Sequence, residues 1–240
     1  PNPTSTTQED VPQAVVPIAM VDSQGNVTQG DPSDLNRETS PQVDESVLAE
    51  LVQGNNAFAI DLYQAIREEN DNLFYSPYSL SIALAMTYAG ARADTELQMQ
   101  DVLHFTLPQE QLHPAFNALD LNLSGMPGGR PSSEDFQLNI ANSIWGQEGR
   151  PFVPDYLGVI ERNYGAGLHL VDFIDETQRE ETRKIINDWV SNETQGKIQD
   201  LFPEGIFNDM TRLVLANAIY FKADWAEPFL NGTRDDDFYL

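Results

Sequence analysis

The run Leu213-Val214-Leu215-Ala216-Asn217-Ala218-Ile219-Tyr220-Phe221 constrains the fold more than any other segment, because it is apolar on both faces. Side chains of a strand point alternately to its two sides, so a strand of this kind has to be covered from both, as a central strand is. Asn217 adds a second condition. A carboxamide set among Leu, Ala and Ile costs on the order of a few kcal/mol unless it is hydrogen-bonded, so its partners must come from elsewhere in the fold. Short hydroxyls on a neighbouring buried helix would serve, and Ser76, Ser79 and Ser81 lie on the most apolar helical segment of the chain.

That segment follows Ser76-Pro77, an N-cap with proline at the first helical position, and carries Leu80, Ile82, Ala83, Leu84, Ala85, Met86, Tyr88 and Ala89 before Gly90. Its hydrophobicity runs nearly all round, which predicts a helix buried on most sides. Upstream, Val47, Leu48, Leu51, Val52, Phe58, Ala59, Leu62, Tyr63 and Ile66 recur at helical spacing, with a soft point at Gly54-Asn55-Asn56, and Asn72-Leu73-Phe74-Tyr75 is a short strand candidate. Thr95-Glu96-Leu97-Gln98 reads as a capping box before a helix through Leu103, and a further helix spans about Gln109 to Leu123. Strands dominate the second half. Phe136, Leu138, Ile140, Asn142 and Ile144 alternate with Gln137, Asn139, Ala141, Ser143 and Trp145, and Gly167 to Phe173 is another strand. Between and after them fall helices at Pro154 to Tyr164 and behind a second capping box, Thr177 with Glu180, with Ile185, Ile186, Trp189 and Val190 on one face. Helices first and long strands later predict an α+β fold.

Composition narrows the function classes. The 38 acidic against 13 basic side chains give a net charge of −25, which disfavours nucleic acid, anionic membrane surfaces and polyanions such as heparin. There is no cysteine, so disulfides and cysteine-ligated zinc are excluded, with no bearing on compartment. No apolar run approaches the ~20 residues of a bilayer-spanning helix, so no membrane insertion is expected, and Pro1-Asn2-Pro3-Thr4 does not read as a signal peptide. Residues 1–46 differ in kind from the rest. They lack aromatics, are rich in Pro, Ser, Thr, Gln and Asp, and carry eight acids against the single base Arg37, the composition of a mostly disordered tail in which Val15 to Val21 with Ser23-Gln24-Gly25-Asn26 could form a transient hairpin but nothing supports a core. The folded part is read as residues 47–240.

Catalytic chemistry has no constellation to rest on. A phosphate loop, a nucleotide fingerprint, HExxH and a nucleophile elbow are all missing from the sequence. His104, His113 and His169 are scattered among apolar neighbours and read as structural, and Asp235-Asp236-Asp237 lacks the ligand spacing of a calcium loop. The expectation is a non-enzyme with no cofactor and no metal.

Three separated motifs resemble one family. Asn72-Leu73-Phe74-Tyr75-Ser76-Pro77-Tyr78-Ser79, followed by the apolar helix and Gly90-Ala91-Arg92-Ala93-Asp94-Thr95, is similar to the N-terminal signature of serpins. So are Asn187-Asp188-Trp189-Val190 with Thr194-Gln195-Gly196-Lys197-Ile198, and Asn217-Ala218-Ile219-Tyr220-Phe221-Lys222 with Trp225. The family usually has glycine where Ala93 and Ala223 stand, and alanine adds strain wherever that glycine served a positive φ.

The resemblance implies a serpin-like α+β fold, helices packed on a large central sheet, with Leu213 to Phe221 as its third strand. It implies that Ser76, Ser79 and Asn217 form the shutter, where central strands part, and that Trp225 marks the breach at the top of the sheet. It implies inhibition of a target serine or cysteine protease by suicide loop insertion, in which a cleaved reactive loop enters the sheet as a new strand. In the family that loop lies near the C-terminus, so the expectation is that residues 1–240 are truncated before the reactive-centre loop and inactive alone. The alternative is a non-inhibitory serpin acting as a binding, carrier or chaperone-like module. The helix from Gln109 to Leu123 matches a region some relatives use for heparin, but it contains no Lys or Arg, so no heparin activation is expected. A monomer when complete, and an extracellular or surface-tethered location, round out the expectations.

Overall fold

A computed structural model of the chain describes residues 19–21, 27–29, 36–68, 72–124 and 136–225. In chain order they form β1 (Ala19–Val21), β2 (Val27–Gln29), α1 (Glu45–Ile66), α2 (Pro77–Tyr88), α3 (Ala93–Val102), α4 (Gln109–Ser124), β3 (Phe136–Gln147), α5 (Pro154–Tyr164), β4 (Leu168–Val171), α6 (Glu176–Glu193) and β5 (Leu213–Ala223). The five strands make one mixed sheet in the order β2-β1-β4-β3-β5. β5 runs antiparallel to β3 over its whole length, from Leu213 opposite Gly146 to Ala223 opposite Phe136, and β4 joins the far end of β3 in parallel through the α5 crossover.

Alternation along β3 and β5 sorts their side chains into two cores. Ile140, Ile144 and Leu215 face α2 and the helices behind it, where Ile82, Ala85, Met86, Phe105, Leu112 and Phe116 are buried. Ala141, Trp145, Val214, Ala216 and Ala218 face α6, against Ile186 and Val190. β5 thus carries a helix on each side, the condition its two apolar faces set. Its ends are less covered: Leu213 and Phe221 are exposed, and among the described residues its only strand neighbour is β3.

Several local expectations are corrected. The soft point at Gly54 is not a break, since α1 is continuous across it. Gly54 is buried where α1 meets the carbonyl of His104, and a Cβ there would lie 2.4 Å from that oxygen, so glycine serves a close approach. Thr95 does not cap α3, which begins two residues earlier behind Arg92. α6 is capped by Asp175, whose Oδ1 accepts from the Gln178 amide at 2.9 Å, and not by Thr177. Residues 72–76 are in no β-ladder among the described residues. In the tail, the short strands β1 and β2 pair antiparallel, and β1 lies along the β4 edge of the sheet, Met20 pairing with His169 and Val21 with Leu168 of β4; the rest of the segment read as a transient hairpin, Val15 to Ile18 and the turn Ser23 to Asn26, lies outside the described residues. The rest of the tail up to residue 35, and the acidic triplet Asp235 to Asp237, lie outside the described residues.

Candidate functional site

The site follows from the first turn of α2. Ser76 takes extended backbone angles and its Oγ accepts from the Ser79 amide at 3.2 Å, so a hydroxyl caps the helix while Pro77 occupies the first helical position without leaving a donor unmatched. The cap sets the direction of the next turn and brings Ser79, which is buried, under the middle of β5. There Asn217 Nδ2 donates to Ser79 Oγ at 2.7 Å and to Asn142 Oδ1 at 2.7 Å, and shares a hydrogen with the Ser79 carbonyl at 3.1 Å. Asn142 is the register partner of Asn217 across the β3–β5 ladder, so two strands and one buried helix are joined at one carboxamide.

Of the three hydroxyls expected to meet Asn217, Ser79 does so. Ser76 acts one step back, through the cap. Ser81 points away and accepts from Asn55 Nδ2 at 2.6 Å, joining α1 to α2. Trp225 is not part of this cluster. It stands beyond the end of β5, largely exposed, about 26 Å along the strand from Asn217 at ~3.3 Å per residue. Asn142 is the member that sequence reasoning missed, although its signal was the same as that of Asn217: it is a carboxamide on the face shared by Ile140 and Ile144.

On the other side of the sheet α6 is fastened at its middle and at its C-terminal end. Asn187 donates through Nδ2 to Asp200 Oδ1 at 2.8 Å and to the Phe202 carbonyl at 2.9 Å, and accepts from the Phe202 amide at 2.9 Å. Arg183 reaches the same carbonyl at 2.8 Å. At the C-terminal end Asn139 of β3 donates to the Glu193 carbonyl and carboxylate at 2.8 and 2.7 Å.

The histidines sit in the scaffold. His113 and Tyr164 share a 2.6 Å hydrogen bond between Nδ1 and Oη, and His169 stacks on Trp145 at 4.3 Å between ring centroids. Burial pushes His113 down to about 4, with Arg92 adding to the effect, and burial alone pushes His169 down to about 4, so both imidazoles are neutral at pH 7. His104 faces Asp61 at 2.7 Å near the surface. Among the described residues no group of three or more His, Asp or Glu could hold a metal ion. What the central cluster offers is a polar latch inside an apolar layer, strong while closed and costly when its groups are separated without replacement.

Comparisons with known proteins agree with this layout. The family profile described as "Serpin (serine protease inhibitor)" matches residues 53–240. A leukocyte elastase inhibitor of Sus scrofa is 40% identical over 198 residues, which are 80% of this chain and 50% of that protein. A leukocyte elastase inhibitor of Xenopus tropicalis is 41% identical over 186 residues, covering 76% and 47%. Among solved structures, ovalbumin from emu (Dromaius novaehollandiae) superposes with a TM-score of 0.66 at 28% identity over 75% of this chain and 49% of that one. The thermophilic serpin tengpin in its native state gives 0.65 at 28%, over 82% and 47%. The chain spans about half the length of the curated relatives it matches. A profile match over more than three quarters of the residues, on a sheet and helix arrangement shared with solved members, shows that the chain belongs to the serpin family.

Proposed function

We propose that the whole protein is a serine-type endopeptidase inhibitor that works by loop insertion, and that residues 1–240 supply its sheet-opening machinery. The observation that carries this reading is the latch under β5. A strand whose described pairing is one-sided, with a polar clasp of Ser79, Asn142 and Asn217 beneath its midpoint, is suited to accept a further strand alongside it. In this reading Ser76, Ser79 and Asn217 are the shutter, and Trp225, at the far end of β5, is the breach. The elastase inhibitors among the relatives support a protease as the partner.

The reactive loop itself belongs to the half of the relatives that this chain does not span, so on this reading residues 1–240 alone do not inhibit. Neither heparin nor another polyanion is a partner, because α4 carries no Lys or Arg on a chain of charge −25. The test is incubation of the full-length protein with an elastase-type and a trypsin-type serine protease and with a papain-type cysteine protease. A covalent, SDS-stable 1:1 complex with one of them is the expected result. Cleavage of the loop with no complex formed would overturn the inhibitory reading in favour of a binding or carrier serpin.

A further inference from the structure

Residues 36–44 precede α1 and form no helix or strand, yet Asn36, Arg37 and Glu38 are seated at the junction of α4 and α5. Arg37 is the anchor. Its Nε donates to Asn117 Oδ1 at 2.8 Å and its Nη2 to Asp120 Oδ2 at 2.6 Å, and the Arg37 and Asp120 side chains are only 15% and 14% exposed. The stem of Arg37 crosses Gly165, the residue that ends α5. A Cβ on Gly165 would come 2.8 Å from Arg37 Cδ, and its φ of 58° already favours glycine.

The backbone on each side of the anchor is also held. The Glu38 amide donates to the Arg162 carbonyl at 2.9 Å, the Glu38 carbonyl accepts from Asn117 Nδ2 at 2.7 Å, and the Asn36 amide donates to Glu161 Oε1 at 3.2 Å. Asn117 is fully buried, and both ends of its carboxamide are engaged by this segment. The cleft therefore offers two carboxylates, a buried amide and a free helix-end carbonyl, spaced for one guanidinium and the peptide groups beside it. Recognition of one guanidinium at two points, by the Asn117 carboxamide through Nε and by the Asp120 carboxylate through Nη2, suits the fixed fork of arginine and not lysine. Arg37 is the one base among eight acids in the first 46 residues, and it is the residue that enters the cleft.

We propose that the cleft between α4 and α5 is a binding site for an arginine in an extended peptide, filled in cis by residues 36–38. The N-terminal segment then acts as a strap. Arg37 anchors it in this cleft, ahead of α1 and against α4 and the end of α5. The site is independent of protease inhibition and stands whether or not the protein is an inhibitor.

The experiment uses the full-length protein lacking residues 1–44 and a synthetic peptide of residues 31–44, with binding followed by fluorescence anisotropy. Saturable 1:1 binding is expected, weakened at least about tenfold when the peptide carries Arg37→Ala or the protein carries Asp120→Asn. Absence of binding by a folded protein, or binding indifferent to both substitutions, overturns the proposal. Should the shortened protein not fold, the intact full-length protein with Arg37→Ala is compared with the wild type by hydrogen exchange. Faster exchange at the Glu38 amide and across residues 160–166, with a thermal midpoint lower by about 4 °C or more, supports the strap, and unchanged exchange there rejects it.

Discussion

Ala93 has a φ of 54°, in the left-handed region that a Cβ penalises, at the first residue of α3. This is one of the two positions where family members usually carry glycine, so the strain foreseen in the sequence has a place in the backbone. Relieving it recovers part of the penalty of about 1–2 kcal/mol, offset by the greater freedom of glycine in the unfolded chain. Ala93→Gly in the full-length protein is expected to stabilise by about 0.5–1 kcal/mol in urea titration, and a loss of stability would contradict the assignment. Asn217 shows the opposite balance. Replacing it with Leu keeps the volume but strands Ser79 Oγ and Asn142 Oδ1 in an apolar layer, at a cost of about 2 kcal/mol. The full-length Asn217→Leu protein should therefore melt earlier and convert faster to inserted or polymeric forms. Native gels showing unchanged polymerisation would remove the latch from the account. The buried histidines make a third case. His113 Nε2 and His169 Nδ1 have no hydrogen-bond partner among the described residues, so protonation would put an unpaired charge into the core. Their folded pKa values near 4 lie below the ordinary 6.5, so their contribution is intact above about pH 6.5 and is lost as pH falls through about 4. Stability should decline across that window by up to about 1.4 kcal/mol per pH unit for each histidine, and His169→Phe should flatten the slope.

At the scale of the element, α6 rests on the sheet through Ile186 and Val190, but the segment after it is held by polar contacts. Asn187 makes three of these to Asp200 and Phe202. Asn187→Ala should cost the full-length protein about 2 kcal/mol and free the loop that contains Lys197, which limited trypsin digestion would report as earlier cleavage after that lysine. An unaltered digestion rate would mean that helix packing alone holds the loop. Elements of this kind were largely legible in the sequence. The periodicities of α2, α6, β3 and β5 reflect burial on defined faces, and burial is what periodicity reports. Helix starts were less so, because Asp175 and Thr177 are both competent caps and only backbone direction decides between them. Gly54 was misread for a related reason, since a glycine that admits a neighbouring carbonyl and a glycine that breaks a helix are the same letter. The latch was half visible: Asn217 demanded a hydroxyl and Ser79 supplied one, while Asn142 was concealed in a run of alternating residues. The Arg37 clasp joins positions some 80 residues apart, and a lone base in an acidic tail does not say which carboxylate it will find.

For the whole molecule, the distribution of exposed apolar side chains bears on whether residues 1–240 are sufficient. Ile60, Tyr63 and Ile66 on α1, together with Leu73 and Phe74 just before α2, are all exposed, Phe74 to 81%. A monomer seldom leaves so many large side chains open in two neighbouring segments, and at ~25 cal/mol per Å2 their covering contributes substantially to the domain. β5 adds to this a row of backbone groups without a second strand among the described residues, which is a template for edge-to-edge pairing. The serpin relatives extend to about twice the matched length, and on the function proposed above the corresponding half of the whole protein would cover both surfaces. Residues 1–240 expressed alone should therefore bind the dye ANS strongly and form oligomers that grow with concentration, whereas the full-length protein should do neither at the same concentrations. Phe74→Ser should lower dye binding by the short chain while destabilising the full-length protein by about 2–3 kcal/mol, the value of a buried aromatic side chain turned polar. A short chain that stays monomeric and dye-silent would show that these surfaces are tolerated in water, and the half-domain would then have to be regarded as a folding unit of its own.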